Sequence, residues 1–111
     1  MSRHPVEIDV EFDSPTTDES VGSVIITNSD PTATPCEWQA TGMLEVPDTG
    51  SWVEGNWEPD TWDGNMATAV SPAMQELSVP PGVKTKLWVR WVVPGERPER
   101  LAGVVLLGPL A

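Results

Sequence analysis

The sequence predicts an all-β protein, an antiparallel β-sandwich of about seven strands that forms one domain over residues 1–111. Two observations predict this fold class. Apolar and polar residues alternate with a period of two in several short segments, as they do in strands with one buried face. Turn-forming residues separate these segments, and 12 Pro and 9 Gly punctuate the whole chain. Because no segment has a convincing 3.6-residue apolar period, at most one helical turn is expected, at residues 72–77.

The first two strands are predicted near the N-terminus. Every second residue of the first strand is apolar and the residues between are acidic, so this strand has one apolar and one acidic face. The apolar positions are Val6, Ile8, Val10 and Phe12, and the acidic positions are Glu7, Asp9, Glu11 and Asp13. Ser14-Pro15 ends the strand. A second strand is expected at residues 22–28, where it meets the turn sequence Asn-Ser-Asp-Pro.

The middle of the chain contains a third strand and a longer irregular segment. Alternation over residues 36–46 puts Cys36 and Trp38 on one face, so Trp38 is expected to anchor the core and Cys36 to be a small core residue. Residues 55–65 are too rich in Gly, Pro, Asp and Asn for regular structure. Short strands are expected on either side of that segment, at residues 51–54 and 66–70.

The C-terminal part has the longest alternation, over residues 83–93. The sequence Pro-Pro-Gly supplies a turn before this strand and Pro-Gly ends it. Its odd positions are apolar or β-branched, and its even positions carry three cations and one tryptophan. These even positions include Lys84, Lys86, Trp88 and Arg90. Residues 101–107 are apolar on both faces, which predicts either a central strand covered on both sides or a strand whose outer face meets a partner.

Charge and motif content limit the function classes. Seventeen acidic and six basic residues give a formal net charge of −11, which disfavours binding to nucleic acids and to anionic membranes. The N-terminus has no apolar run of signal-peptide length, so a cytoplasmic protein is expected from these residues alone. His4 is the only histidine, and no nucleotide, zinc or redox motif is present. The sequence therefore predicts neither an enzyme nor a cofactor.

Three segments carry a family likeness: VEIDVEF, then VIITNSDPTATPCEW, then LSVPPGVKTKLWVRWVVPGERPERLAGVVLLGPL. In order and turn placement they resemble immunoglobulin-like accessory domains of bacteria, archaea and their phages, including sandwich modules of surface proteins and of phage capsids. The matching turn and strand positions are Asn28, Pro81, Gly82, Pro94 and Gly103. The chain departs from antibody-type domains because it has no Tyr and a single Cys. The resemblance implies an immunoglobulin-like sandwich that decorates a larger assembly.

Two sets of side chains are candidate binding sites. Trp52, Trp57 and Trp62 recur every five residues, and if exposed they would form an aromatic platform for a carbohydrate ligand. The oxygen atoms of nearby acidic residues offer a weaker hypothesis, a calcium site, although their spacing is not that of an EF-hand loop. These acidic and amide residues are Glu58, Asp60, Asp63 and Asn65.

The second candidate is a partner interface built from charged stripes. The acidic residues of the first strand oppose the cations of the long strand, either as cross-strand pairs or as complementary docking surfaces. The interface candidates are Lys84, Lys86, Trp88, Arg90, Glu7, Asp9 and Glu11. The function predicted first is a non-enzymatic virion accessory protein that binds a capsid or another assembly subunit, with self-association as one form of that docking. The alternative is a small carbohydrate-binding module that uses the three tryptophans.

Overall fold

The computed structural model describes residues 3–5, 10–12, 20–27, 29–92 and 98–107, and for the first two ranges only the backbone pairing is described. These residues form nine strands in two sheets that enclose one core. The strands are β1 Arg3–Pro5, β2 Val10–Phe12, β3 Ser20–Ile26, β4 Glu37–Thr41, β5 Val53–Glu54, β6 Asn56–Trp57, β7 Met66–Val70, β8 Thr85–Arg90 and β9 Glu99–Leu107. The all-β prediction is confirmed, and the architecture is that of a β-sandwich.

Antiparallel strands make up most of both sheets. In the first sheet the order is β1-β3-β7-β6, where β3, β7 and β6 are antiparallel and β1 joins β3 in parallel. In the second sheet the order is β2-β9-β8-β4-β5, where β9, β8, β4 and β5 are antiparallel and β2 joins β9 in parallel. The chain therefore crosses between the two sheets several times, and each sheet is built from distant parts of the sequence.

Period-two alternation explains the core. In β8, Thr85, Leu87 and Val89 are buried while the residues between them are partly exposed. On the opposite sheet, Val21 and Ile25 of β3 are fully buried in the same apolar cluster. Trp38 is the largest fully buried side chain of the described residues, which confirms it as the core anchor.

The edge where β4 meets β5 is packed most tightly. Cys36 is fully buried as predicted, and burial raises the pKa of its thiol. Gly55 lies between β5 and β6, where the chain passes from one sheet to the other. Its N–H donates to the Cys36 carbonyl oxygen at 2.7 Å. Gly55 is buried against the Trp38 indole, so the chain passes this point with no room for a side chain.

One predicted strand has the observed bounds, and the bounds of the other described strands differ from those predicted. The prediction for residues 66–70 matches β7 residue for residue. The third strand was expected to reach residue 46, but β4 ends at Thr41, and the predicted inward positions Leu44 and Val46 are 101% and 75% exposed. The cause is a local turn, because the Gly42 carbonyl oxygen accepts from the Glu45 N–H at 3.1 Å and the Glu45 carboxylate accepts from the Gly42 N–H at 2.8 Å.

Two more predictions differ at the sheet edges. Residues 55–65 were expected to be irregular, yet β6 forms within them because Asn56 and Trp57 pair with Val70 and Ala69 of β7. Of the predicted N-terminal strand, only β2 lies within the described residues, and β1 belongs to the other sheet. The remaining residues predicted for that strand, 6–9 and 13, lie outside the described residues.

The single helical turn is confirmed. The Val79 N–H donates to the Met74 carbonyl oxygen at 3.1 Å and the Ser78 N–H donates to the Gln75 carbonyl oxygen at 3.2 Å. Ser78 has φ 57°, and with these two bonds the turn ends in the Schellman motif that is common at helix C-termini. The apolar residues Met74 and Val79, at the two ends of the motif, are both buried. Among the described residues, no helix is long and apolar enough to cross a membrane.

Candidate interaction surfaces

The outer face of the five-stranded sheet carries an aromatic and cationic patch. Its members are the outward residues of the three central strands β4, β8 and β9, called here the outer face. They are Glu37, Gln39, Thr41, Lys86, Trp88, Arg90, Glu99, Leu101 and Val104. Trp88 lies at its centre, paired in register with Gln39 on one side and with Leu101 on the other.

A β-bulge produces this arrangement. The register between β8 and β9 shifts between Leu87 and Trp88, where Gly103 pairs with the first residue and Leu101 with the second. Ala102 is therefore the extra residue, and the side-chain parity of β9 changes there. As a result Leu101 is 43% exposed next to Trp88. Arg100 lies on the inner side, where its Nη2 atom donates to Ser23 Oγ of the opposite sheet at 3.0 Å.

Polar and cation–π contacts hold the ring of Trp88 on the outer face and the ring of Trp52 next to Arg90. Trp88 Nε1 donates to Thr41 Oγ1 at 2.9 Å, and the Lys86 ammonium lies 5.9 Å from the Trp88 ring centroid. Arg90 Nε donates to Glu37 Oε1 at 2.8 Å, and the Arg90 guanidinium lies 4.3 Å from the Trp52 ring centroid. Because these contacts restrain the rings before any partner arrives, a partner would pay little to order them.

Of the predicted charged stripes, Glu11 in β2 and the cations of β8 lie in the same sheet, but their strands are not adjacent. Strand β9 separates β2 from β8, so their backbones are about 10 Å apart, twice the usual strand spacing. Glu11 is paired in register with Leu106 of β9, while Glu7 and Asp9 lie outside the described residues. Lys84 is exposed and precedes β8. The acidic residue of β2 and the cations of β8 therefore do not form direct cross-strand pairs in this sheet.

The three predicted tryptophans do not line one cleft. Trp57 and Trp62 line an open cleft of about 610 Å³ between residues 32–35 and residues 56–62. Trp52 lines a different cleft of about 520 Å³, beside Gln39 of β4 and Asp48 of the loop between β4 and β5. The chain leaves one sheet for the other at Gly55, between Trp52 and Trp57. Trp52 therefore lies apart from the other two tryptophans.

In the acidic loop after Trp57, the Asp63 carboxylate accepts hydrogen bonds from the backbone of its own loop. Asp63 Oδ1 accepts the N–H groups of Met66 at 3.0 Å and Asn65 at 2.9 Å, and these two bonds hold the pKa of Asp63 below its usual value. In the part of the chain that the structure describes, no three His, Cys, Asp or Glu side chains are grouped so that they would hold a metal ion.

One exposed feature was missed at the sequence level. The turn after β4 exposes Met43, Leu44 and Val46, and the nearby Val83 is 54% exposed. The alternation of residues 36–46 did not predict this apolar turn, because a continued strand would have buried Leu44 and Val46.

Comparison of the chain with protein-family models, with curated proteins and with solved structures gives no match.

Proposed function

We propose that this chain is a non-enzymatic, immunoglobulin-like interaction module that uses its outer face to bind a protein surface of a larger assembly, most concretely a virus capsid. The observation that carries the proposal is the patch around Trp88. There a restrained indole, an exposed leucine and cationic side chains adjoin one another on one sheet face. Trp and Arg are the residue types most enriched in the energetic centres of protein interfaces.

The strand order supports the immunoglobulin-like part of the proposal. Taken in chain order, the two sheets correspond to A-B-E-D and A′-G-F-C-C′, with the difference that β1 joins β3 in parallel while strands A and B of immunoglobulin domains are antiparallel. Trp38 occupies β4, the counterpart of strand C, where immunoglobulin domains bury a tryptophan in the core. In a sandwich of this kind, the G-F-C sheet packs its inner face on the other sheet and leaves its outer face uncovered by that sheet. Trp88 lies on the outer face here.

Charge supports a protein partner with acidic groups. The chain has six basic residues in total, and Lys84, Lys86 and Arg90 concentrate half of them along or next to one strand. Arg90 is already paired with Glu37, so Lys86, whose ammonium lies 5.9 Å from the Trp88 ring centroid, is the cation of the outer face that complements a partner. Charges at an interface act mainly on the association rate and on specificity.

An add-back experiment tests the proposal. Particles or complexes are isolated from cells that lack the gene for this chain, and the purified chain is then titrated onto them. Wild-type protein is expected to bind saturably, and Trp88→Ala to bind about 30-fold more weakly, because a hot-spot truncation costs about 2 kcal/mol. Co-sedimentation with quantification of the bound chain measures both.

Trp62→Ala is the matched control, since it removes the same side chain from the other surface. It is expected to bind as wild type does. Equal binding by Trp88→Ala and wild type, or a loss confined to Trp62→Ala, would contradict the assignment of the outer face. Circular dichroism of each variant separates loss of binding from loss of fold.

Carbohydrate binding is the second candidate function. The observation that favours it is the open cleft shared by Trp57 and Trp62, since indole faces stack on the C–H groups of sugars. Trp52 takes no part in this version of the site. Binding to a glycan array that Trp57→Ala abolishes would support this candidate.

A further inference from the structure

We propose that the cleft between residues 32–35 and 56–62 binds an organic cation, a quaternary ammonium or alkylated amine group, against the indole rings of Trp57 and Trp62. This surface is distinct from the outer face, and Trp57 belongs to the opposite sheet. The volume of the cleft, about 610 Å³, is within the range of small-ligand sites.

The aromatic part of the cleft is held in place. Trp57 Nε1 donates to the Thr34 carbonyl oxygen at 2.8 Å, which ties β6 to the facing loop and uses the only polar atom of the indole. Trp57 is half-buried and packs against the core, so the exposed part of its π surface is what it offers a ligand. Cations are attracted to such surfaces by the ring quadrupole, most strongly in the case of Trp.

The charged groups that line the cleft are carboxylates. They are Glu58 and Asp60, and among the described residues no Lys or Arg lines it. Asp30 adjoins the cleft at Thr32, and the hydrogen bonds that it accepts from Thr32 lower its pKa, so that it stays ionised in mild acid. The net charge of −11 adds a favourable long-range field for a cationic ligand.

The hydroxyl groups of the cleft favour a cation over a sugar. Thr32 Oγ1 donates to Asp30 Oδ1 at 2.6 Å. Thr61 Oγ1 donates to the Glu58 carbonyl oxygen at 2.8 Å and accepts from the Thr68 N–H at 3.2 Å. A sugar needs several directional hydrogen bonds, and the O–H donors of both hydroxyls are already used within the protein, which leaves only oxygen lone pairs as acceptors. A methylated ammonium group needs only aromatic faces and negative charge.

The test compares choline with 3,3-dimethylbutan-1-ol, its neutral isostere in which carbon replaces the charged nitrogen. Each is titrated into the protein and followed by tryptophan fluorescence and calorimetry, with glucose and N-acetylglucosamine as sugar probes. Choline is expected to bind at least about tenfold more tightly than the isostere and to weaken as salt concentration rises.

Variants locate the site. Trp62→Ala is expected to lower the choline affinity at least about tenfold. Asp60→Asn should lower the choline affinity about threefold, because it removes one negative charge. Asparagine is the substitute because the Asp60 backbone has φ 60°, a conformation that asparagine tolerates. Trp52→Ala, which alters a different cleft, should leave the affinity unchanged.

Four results would overturn the proposal. They are equal affinity for choline and its isostere, binding of a sugar probe without choline binding, no saturation up to about 100 mM choline, and choline binding that Trp62→Ala leaves intact. The sugar result would instead favour the carbohydrate candidate. None of these outcomes depends on the outer face, so the add-back experiment and this one fail independently.

Discussion

Gly55→Ala is expected to lower the free energy of unfolding by about 3 kcal/mol, the upper end of the usual cost of overpacking. A Cβ atom at this position would lie 2.7 Å from Cδ1 and Nε1 of Trp38 and even closer to the Val70 carbonyl oxygen. Neither group can withdraw easily, because Trp38 is fully buried and Val70 is part of the β7 backbone. Urea unfolding followed by tryptophan fluorescence measures the change.

Gly50→Ala is the matched control for this substitution. A Cβ atom on Gly50 would meet nothing within 4 Å, and its backbone is not in the left-handed region. It is expected to change stability by less than about 1 kcal/mol, and a small gain is the favoured direction because alanine restricts the unfolded chain. If Gly55→Ala costs no more than Gly50→Ala, the packing described for the β4–β5 edge is wrong.

Trp38→Ala is expected to destabilise the fold by about 3–5 kcal/mol, the range measured for truncating large buried aromatics. Its side chain is 0% exposed and belongs to the cluster that joins the two sheets. Removing it leaves a cavity that the β4 backbone cannot close, since that strand is paired with both β5 and β8.

The control for Trp38→Ala is Trp62→Ala, which truncates a partly exposed indole in an open cleft. It is expected to cost less than about 1.5 kcal/mol. Denaturant midpoints and slopes of both variants give the comparison. A Trp38→Ala protein as stable as the control would contradict a core built around that residue.

Alternation predicted the parts of the fold where a strand pairs on both sides and one face is buried. Strands β7 and β8 are of this kind, and so is the first half of β4, where Trp38 was expected in the core. In these segments the pattern and the burial have the same physical cause, because a strand directs successive side chains to opposite faces. The prediction therefore needed no tertiary information.

The sequence was uninformative where non-local or side-chain contacts decide the backbone. The Glu45 carboxylate bonds back to the Gly42 N–H and ends β4, although the apolar pattern continues to residue 46. In β9 the bulge at Ala102 changes the parity, so Leu101 lies on the outer face with Val104 while Val105 and Leu107 are buried. Neither event has a signal in a window of alternating residues.

The same reason explains what was predicted of the candidate sites. The even positions of β8 identified Lys86, Trp88 and Arg90 as one face, because a single strand displays them together. The tryptophan spacing failed as a guide to proximity, since the chain changes sheets at Gly55 between Trp52 and Trp57. The leucine that adjoins Trp88 could be found only from the register of β8 with β9.

Side-chain oxidation by hydroxyl radicals tests the central claim most directly, because tryptophans on both surfaces report in one experiment. Oxidation rates are compared between the free chain and the chain within the assembly with which it co-purifies. Trp88 and Leu101 are expected to react at least about fivefold more slowly in the assembly, as buried interface residues do, while Trp62 reacts at its free rate. Unchanged oxidation of Trp88 together with protection of Trp57 and Trp62 would contradict the outer face as the binding surface.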